Sequence, residues 1–157
     1  MGWFEWMSGE SKRRPAGEID LGATAYHEAS HARAAHKRGF TLLGIEVHAD
    51  GGGRTGFVDA GSHGRALEDH LVALRAGQAG EVRYLMDRGY RRRQAEQMTA
   101  HGASSDRARF EAVARGTIYT WEGMRGEADR FVRRHAYTID KTAKRLLRRG
   151  RDSGTWA

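Results

Sequence analysis

Ala25-Tyr26-His27-Glu28-Ala29-Ser30-His31-Ala32 places two imidazoles four residues apart, with a glutamate directly after the first. On an α-helix, positions i and i+4 stack on one face. His27 and His31 can therefore offer ring nitrogens to one Zn²⁺ ion, while Glu28 points toward a water beside it. The expected chemistry is hydrolysis: zinc lowers the pKa of that water toward roughly 7, Glu28 takes its proton, and the hydroxide attacks a peptide carbonyl. Eight histidines and eleven glutamates occur in 157 residues. With that composition the spacing arises by accident in roughly 2% of shuffled chains, so the motif alone also reads as a polar helix face. Its setting argues for a buried helix: Ala25, Ala29, Ala32, Ala34 and Ala35 favour helix and allow close packing.

Outward from this segment, the spacing predicts a helix from Asp20 or Thr24 to about Arg38, stopped by Gly39. Thr41 to His48 alternates around Ile45 and Val47 and reads as a strand. Gly51-Gly52-Gly53 reads as a turn into a second short strand at Gly56-Phe57-Val58. The hairpin so formed is a candidate platform for an extended substrate, which would add to its edge as a further strand. Residues 62 to 87 carry Leu67, Leu71, Leu74, Val82 and Leu85 at helical spacing, with Ala76-Gly77-Gln78-Ala79-Gly80 as a small-residue face. Residues 88 to 103, which include Arg91-Arg92-Arg93, read as a mobile loop with room for one helical turn. Ser104 or Ser105 is expected to cap a helix carrying Phe110, Val113, Ile118 and Trp121. A last amphipathic helix is expected from Gly126 to Arg149, burying Phe131, Val132, Ile139, Leu146 and Leu147, with a fraying tail after Gly150. Residues 1–19 hold Trp3, Phe4, Trp6 and the only proline, Pro15, and read as an irregular arm whose aromatics dock on the domain, a partner or a membrane interface.

A chain of 157 residues with 39% hydrophobic content fits one domain with its own core. The absence of cysteine excludes disulfides and thiolate metal sites, so His, Asp and Glu must supply any zinc ligands. No apolar run is long enough to span a bilayer and no secretory signal is legible, which makes a cytoplasmic protein the expectation. A formal charge of +7 draws acidic partners at low salt. Arg91 to Arg93, Arg133-Arg134 and Arg148-Arg149 stand as separate short clusters without aromatic interleaving, and they read as solvated surface rather than as a nucleic-acid patch.

A catalytic zinc needs a third protein ligand, and Asp106, Glu81, Asp69, Glu111, His101 and His70 are the candidates. An acid in the first turn of a later helix is held rigidly enough to reach the metal helix, which favours Asp106. On local sequence alone the same aspartate reads better as a complement to a helix dipole. The zinc motif, the strand and glycine turn after it, Ala76-Gly77-Gln78-Ala79-Gly80-Glu81, and Gly102-Ala103-Ser104-Ser105-Asp106 follow in the order seen in FtsH-type zinc peptidase domains, and residues 20 to 148 resemble that family. The resemblance implies a mainly α (α+β), zincin-like helical domain over residues 20–149, with a small β-hairpin or sheet beside the metal helix and a tail at 150–157. It implies Zn²⁺ held by His27, His31 and Asp106, with Glu28 as the catalytic base. Ring assembly in the family makes an oligomer an expectation.

This chain departs from the family in several ways. It has no phosphate-binding loop and no membrane span, so the implied enzyme is a stand-alone, ATP-independent metalloendopeptidase acting on flexible or unfolded polypeptides. Ser30 replaces the usual glycine of the motif, and an acidic pair is reduced to Glu81 followed by Val82. The alternative is a non-catalytic binding or regulatory protein on a zinc-stabilised peptidase fold, engaging acidic partners or nucleic acid.

Overall fold

The computed structural model describes residues 21–59 and 66–152. The aromatic arm of residues 1–19 and its expected docking lie outside them. The first helix, α1 (Leu21–Lys37), ends in a turn in which Gly39 takes a φ of 88°, as its expected role as a helix stop requires. β1 (Phe40–Val47) and β2 (Gly53–Asp59) follow as an antiparallel hairpin, and then α2 (Ala66–Met86). The remaining elements are α3 (Arg92–Thr99), α4 (Ser104–Val113), α5 (Arg125–Arg134), α6 (Ala136–Arg149) and β3 (Arg151–Asp152). The fold is mainly helical, with a small three-stranded antiparallel sheet in the order β2-β1-β3.

α1 runs through the middle and buries thirteen of its seventeen residues. Its alanines leave little side-chain bulk, so α2, α6 and both hairpin strands approach it together. Phe40, Ile45 and Phe57 from the sheet, Leu71 and Leu74 from α2, and Ile139 and Leu146 from α6 close around it. Phe110 of α4 meets Trp121 edge to face at 5.4 Å and seals the other end.

Several elements differ from the sequence reading. The segment expected to be a mobile loop contains α3. Its first turn is capped by the Gln94 side chain, which accepts from the Arg91 N–H at 3.1 Å, and its polar face is pinned by Arg92 to Asp129 at 2.9 Å and Arg125 to Glu96 at 3.4 Å. The cap is local, but the ion-pair partners come from distant α5 and no local pattern announces them.

Neither Ser104 nor Ser105 caps α4. Ala103 occupies that position, because the chain leaves α3 in continued turns, with the Ala103 N–H on the Thr99 carbonyl and the Ser104 N–H on that of His101. α4 stops at Val113. Ile118 is 91% exposed, while Trp121 is buried from the link that follows.

The expected last helix is two, broken at His135, because α5 packs on α2 whereas α6 packs on α1. One straight rod cannot present its apolar stripe to both. Leu147 is 46% exposed and Leu67 37%, so neither is core. The tail also differs. Gly150 caps α6 at φ 72° and turns the chain back, so that Arg151 and Asp152 pair with Glu46 and Ile45 of β1. Asp152 is buried and engages Arg145 at 2.7 Å.

The third strand therefore makes β1 central and leaves β2 at an edge. Asp152→Ala strips the ion pair from Arg145 and loosens β3. A loss of about 1–2 kcal/mol is expected, read as a fall in melting temperature of about 3–6 °C. The matched change at exposed Asp87 should leave the melting temperature nearly unchanged.

Candidate metal centre

His27 and His31 project from one face of α1 toward α2 and α4, and the rigid helix sets their separation. Asp106, in the first turn of α4, reaches them from the far side of the cleft. His27 Nε2, His31 Nε2 and Asp106 Oδ2 form a triangle with edges of 2.9, 3.1 and 3.0 Å. All three side chains are buried, and so is Glu28.

The outer nitrogens decide which lone pairs face inward. His31 Nδ1 lies 2.7 Å from the Ala73 carbonyl, which can only accept, so this nitrogen carries the hydrogen. His27 Nδ1 lies 3.2 Å from the Glu81 carboxylate and donates to it likewise. With the hydrogens outside, two neutral rings turn bare Nε2 lone pairs toward each other and toward a carboxylate oxygen. Three electron-rich atoms about 3 Å apart repel unless a positive charge lies among them, and one ion with bonds of about 2 Å can touch all three.

The donor set therefore fits a zinc ion. The same need for positive charge appears in the titration of the groups. Burial works against a charge on His31, yet Asp106, Glu28 and the Ala73 carbonyl outweigh it and lift the ring to about 9. Burial alone would raise Asp106, but His31 and His27 hold it well below the usual carboxylate range.

Glu28 stands beside the triangle and reaches the sheet. Its carboxylate accepts from the Thr55 hydroxyl at 2.6 Å, and the same hydroxyl lies 3.1 Å from the Glu28 backbone carbonyl. A side chain at Gly53 would stand 2.7 Å from Glu28 Cγ, so the bare backbone of β2 makes room for this carboxylate. Burial pushes Glu28 up, although His27, His31 and Thr55 oppose it.

α2 supplies the wall behind the histidines. A methyl group on Gly77 would overlap His31 Nε2 and stand 2.6 Å from His27 Nε2. One on Gly80 would overlap the Ser30 hydroxyl, which donates back to the Tyr26 carbonyl at 2.7 Å. Ser30 thus fits where it does because Gly80 faces it.

Of the other sequence candidates, only Glu81 is at the site, as the partner of His27 Nδ1 rather than as a member of the triangle. Asp69 pairs with Arg38 at 2.7 Å, His70 packs against Phe40 and Phe57, Glu111 pairs with Arg107, and His101 is exposed. Sequence reasoning passed over Thr55 and the Ala73 carbonyl. Nothing in a lone strand threonine or a backbone oxygen marks it in advance. Gly77 was legible only as one of a run of small residues.

Comparison of the chain with known protein families, with curated proteins and with solved structures returns no match.

Two substitutions test how the cleft is built. Gly77→Ala should abolish zinc uptake by the purified protein, read by elemental analysis, while Gly102→Ala, whose methyl would meet only ordinary contacts, should keep it. Glu81→Ala should weaken zinc affinity by about 10–100-fold, with Glu81→Gln, which can still accept from His27, recovering much of it.

Proposed function

We propose that the protein is a zinc-dependent metalloendopeptidase that hydrolyses flexible or unfolded polypeptides without ATP. The observation that carries this reading is the buried triangle of two histidine nitrogens and one carboxylate oxygen, with a second carboxylate, Glu28, one residue from the first ligand. His27, His31 and Asp106 would hold the ion. Bound zinc would supply Lewis acidity to a water and to the scissile carbonyl. Two histidines with one carboxylate also suit ferrous iron, but a buried glutamate beside them, fixed by Thr55, favours acid–base hydrolysis.

Glu28 is the base in this mechanism. Its raised carboxyl is a better proton acceptor near neutral pH than an ordinary glutamate, and after attack it can return the proton to the leaving nitrogen. Thr55 holds the accepting oxygen in place. Ala73 and Glu81 keep the histidine rings from turning over, because each accepts from the outer nitrogen.

β2 borders Glu28 and lies at the edge of the sheet. An extended polypeptide adding to that edge as a further strand would run past the carboxylate, held by backbone hydrogen bonds that are indifferent to sequence. Such a mode suits unfolded chains. Among the described residues no helix is long and apolar enough to cross a membrane.

Glu28→Gln should keep zinc but lower cleavage of an unfolded protein such as casein by at least ~100-fold; undiminished cleavage would end the peptidase reading. Asp106→Ala should lose zinc and melt at a lower temperature, and unchanged zinc content would remove Asp106 from the site.

A further inference from the structure

Residues 125–152 hold ten Lys and Arg against four Asp and Glu, so this short stretch carries six of the chain's formal +7. Each of the four acids already has a cationic partner. Glu127 is engaged by Arg38 and Arg130, Asp129 by Arg92, Asp140 by Tyr26 and Lys144, and Asp152 by Arg145. Among the described residues, no acid pairs with Arg134, Lys141, Arg148 or Arg149.

The helix then sorts its own cations, Lys144 keeping Asp140 as its neighbour. Tyr137, Lys141, Lys144 and Arg148 follow at steps of four, three and four, which places them on one stripe of α6. All are exposed, opposite the buried Ile139, Thr142, Ala143 and Leu146. The stripe is about 16 Å long, with successive cations about 5 Å apart along the axis. Exposed Arg134 and Lys37 extend it at the end where α6 begins. There, burial and the surrounding Arg33, Lys37, Arg134 and Arg38 hold the His135 ring below its ordinary value. Arg134 and Arg148, from basic pairs that look separate in the sequence, thus stand near the two ends of one helix in space.

We propose that the outer face of α6 is a docking row for the phosphate backbone of a nucleic acid, recognised by charge and not by base sequence. Phosphates recur every ~3.4 Å along each strand of a duplex, so a straight row of cations at this spacing can neutralise several together. The other anionic partners fit less well. The stripe's one apolar group is Tyr137, which lies 5.4 Å under the Lys141 ammonium, so there is little to insert into a bilayer. Nor is there the apolar centre that a protein interface needs. The proposal does not rest on the peptidase reading: α6 packs on a different side of α1 from the one that carries His27 and His31.

The test is fluorescence anisotropy with a labelled, mixed-sequence duplex of about 20 base pairs, titrated between about 50 and 200 mM salt. Lys141→Glu/Arg148→Glu is compared with Arg93→Glu/Arg115→Glu, which changes net charge equally at exposed arginines elsewhere. The row variant should lose at least ~10-fold in affinity and flatten the salt slope by about 2, while the control loses less than ~3-fold. Equal losses in the two variants, or no binding by the parent at low salt, would overturn the proposal. So would binding to phosphatidylserine vesicles without binding to the duplex. Unchanged melting temperature and zinc content in both variants establish that the fold is intact.

Discussion

The close approach of α1 and α2 is the constraint on which the site depends. Gly77 and Gly80 remove side chains where His27, His31 and Ser30 need the space, and the alanines of α1 let the other elements close around it. The gap left between the helices is filled by imidazoles, not by methyl groups. Because the backbones meet so closely, the Ala73 carbonyl can take the His31 hydrogen directly. Packing and the orientation of the ring nitrogens are one event here, because this cluster sits inside the core rather than on its surface.

Burying two histidines and three carboxylates together would be costly without compensation. The cost is met by an ordered sequence of partners. Thr55 holds Glu28, Glu81 and Ala73 hold the outer ring nitrogens, and the inner atoms face one another at about 3 Å. The arrangement is satisfied at its periphery and strongly attractive to a cation at its centre. In the same way α1 divides the molecule. One side collects acceptors around a buried point, and another carries α6, whose exposed stripe collects cations.

Much of this was legible in the residues. The spacing of His27 and His31 on an alanine-rich helix, the hairpin after Gly39, and the helical periodicity of Leu71, Leu74, Val82 and Leu85 are all local signals, and all appear in the structure. The misjudged elements depend on partners far along the chain. α3 looks too polar to be ordered until Asp129 and Arg125 are set beside it, and the tail looks free until β1 offers it a strand to pair with. The break at His135 is invisible as long as α5 and α6 are read as one amphipathic repeat.

The sequence by itself determined the elements whose cause lies within a turn or two: the alanine-rich helix α1, its pair of histidines, and the glutamate between them. It also determined that any metal must be held without thiolates. Tertiary structure set Asp106 against the two histidines and Glu81 behind His27, where the residues alone favoured Asp106 but left it readable as an ordinary helix-dipole acid. It likewise decided that Thr55 would reach Glu28, and that Lys141, Lys144 and Arg148 would face outward on one stripe of α6. The physical reason is the same in each case: hydrogen bonding and charge act over a few ångströms in space, and the chain brings residues within that range only after packing has chosen which faces meet.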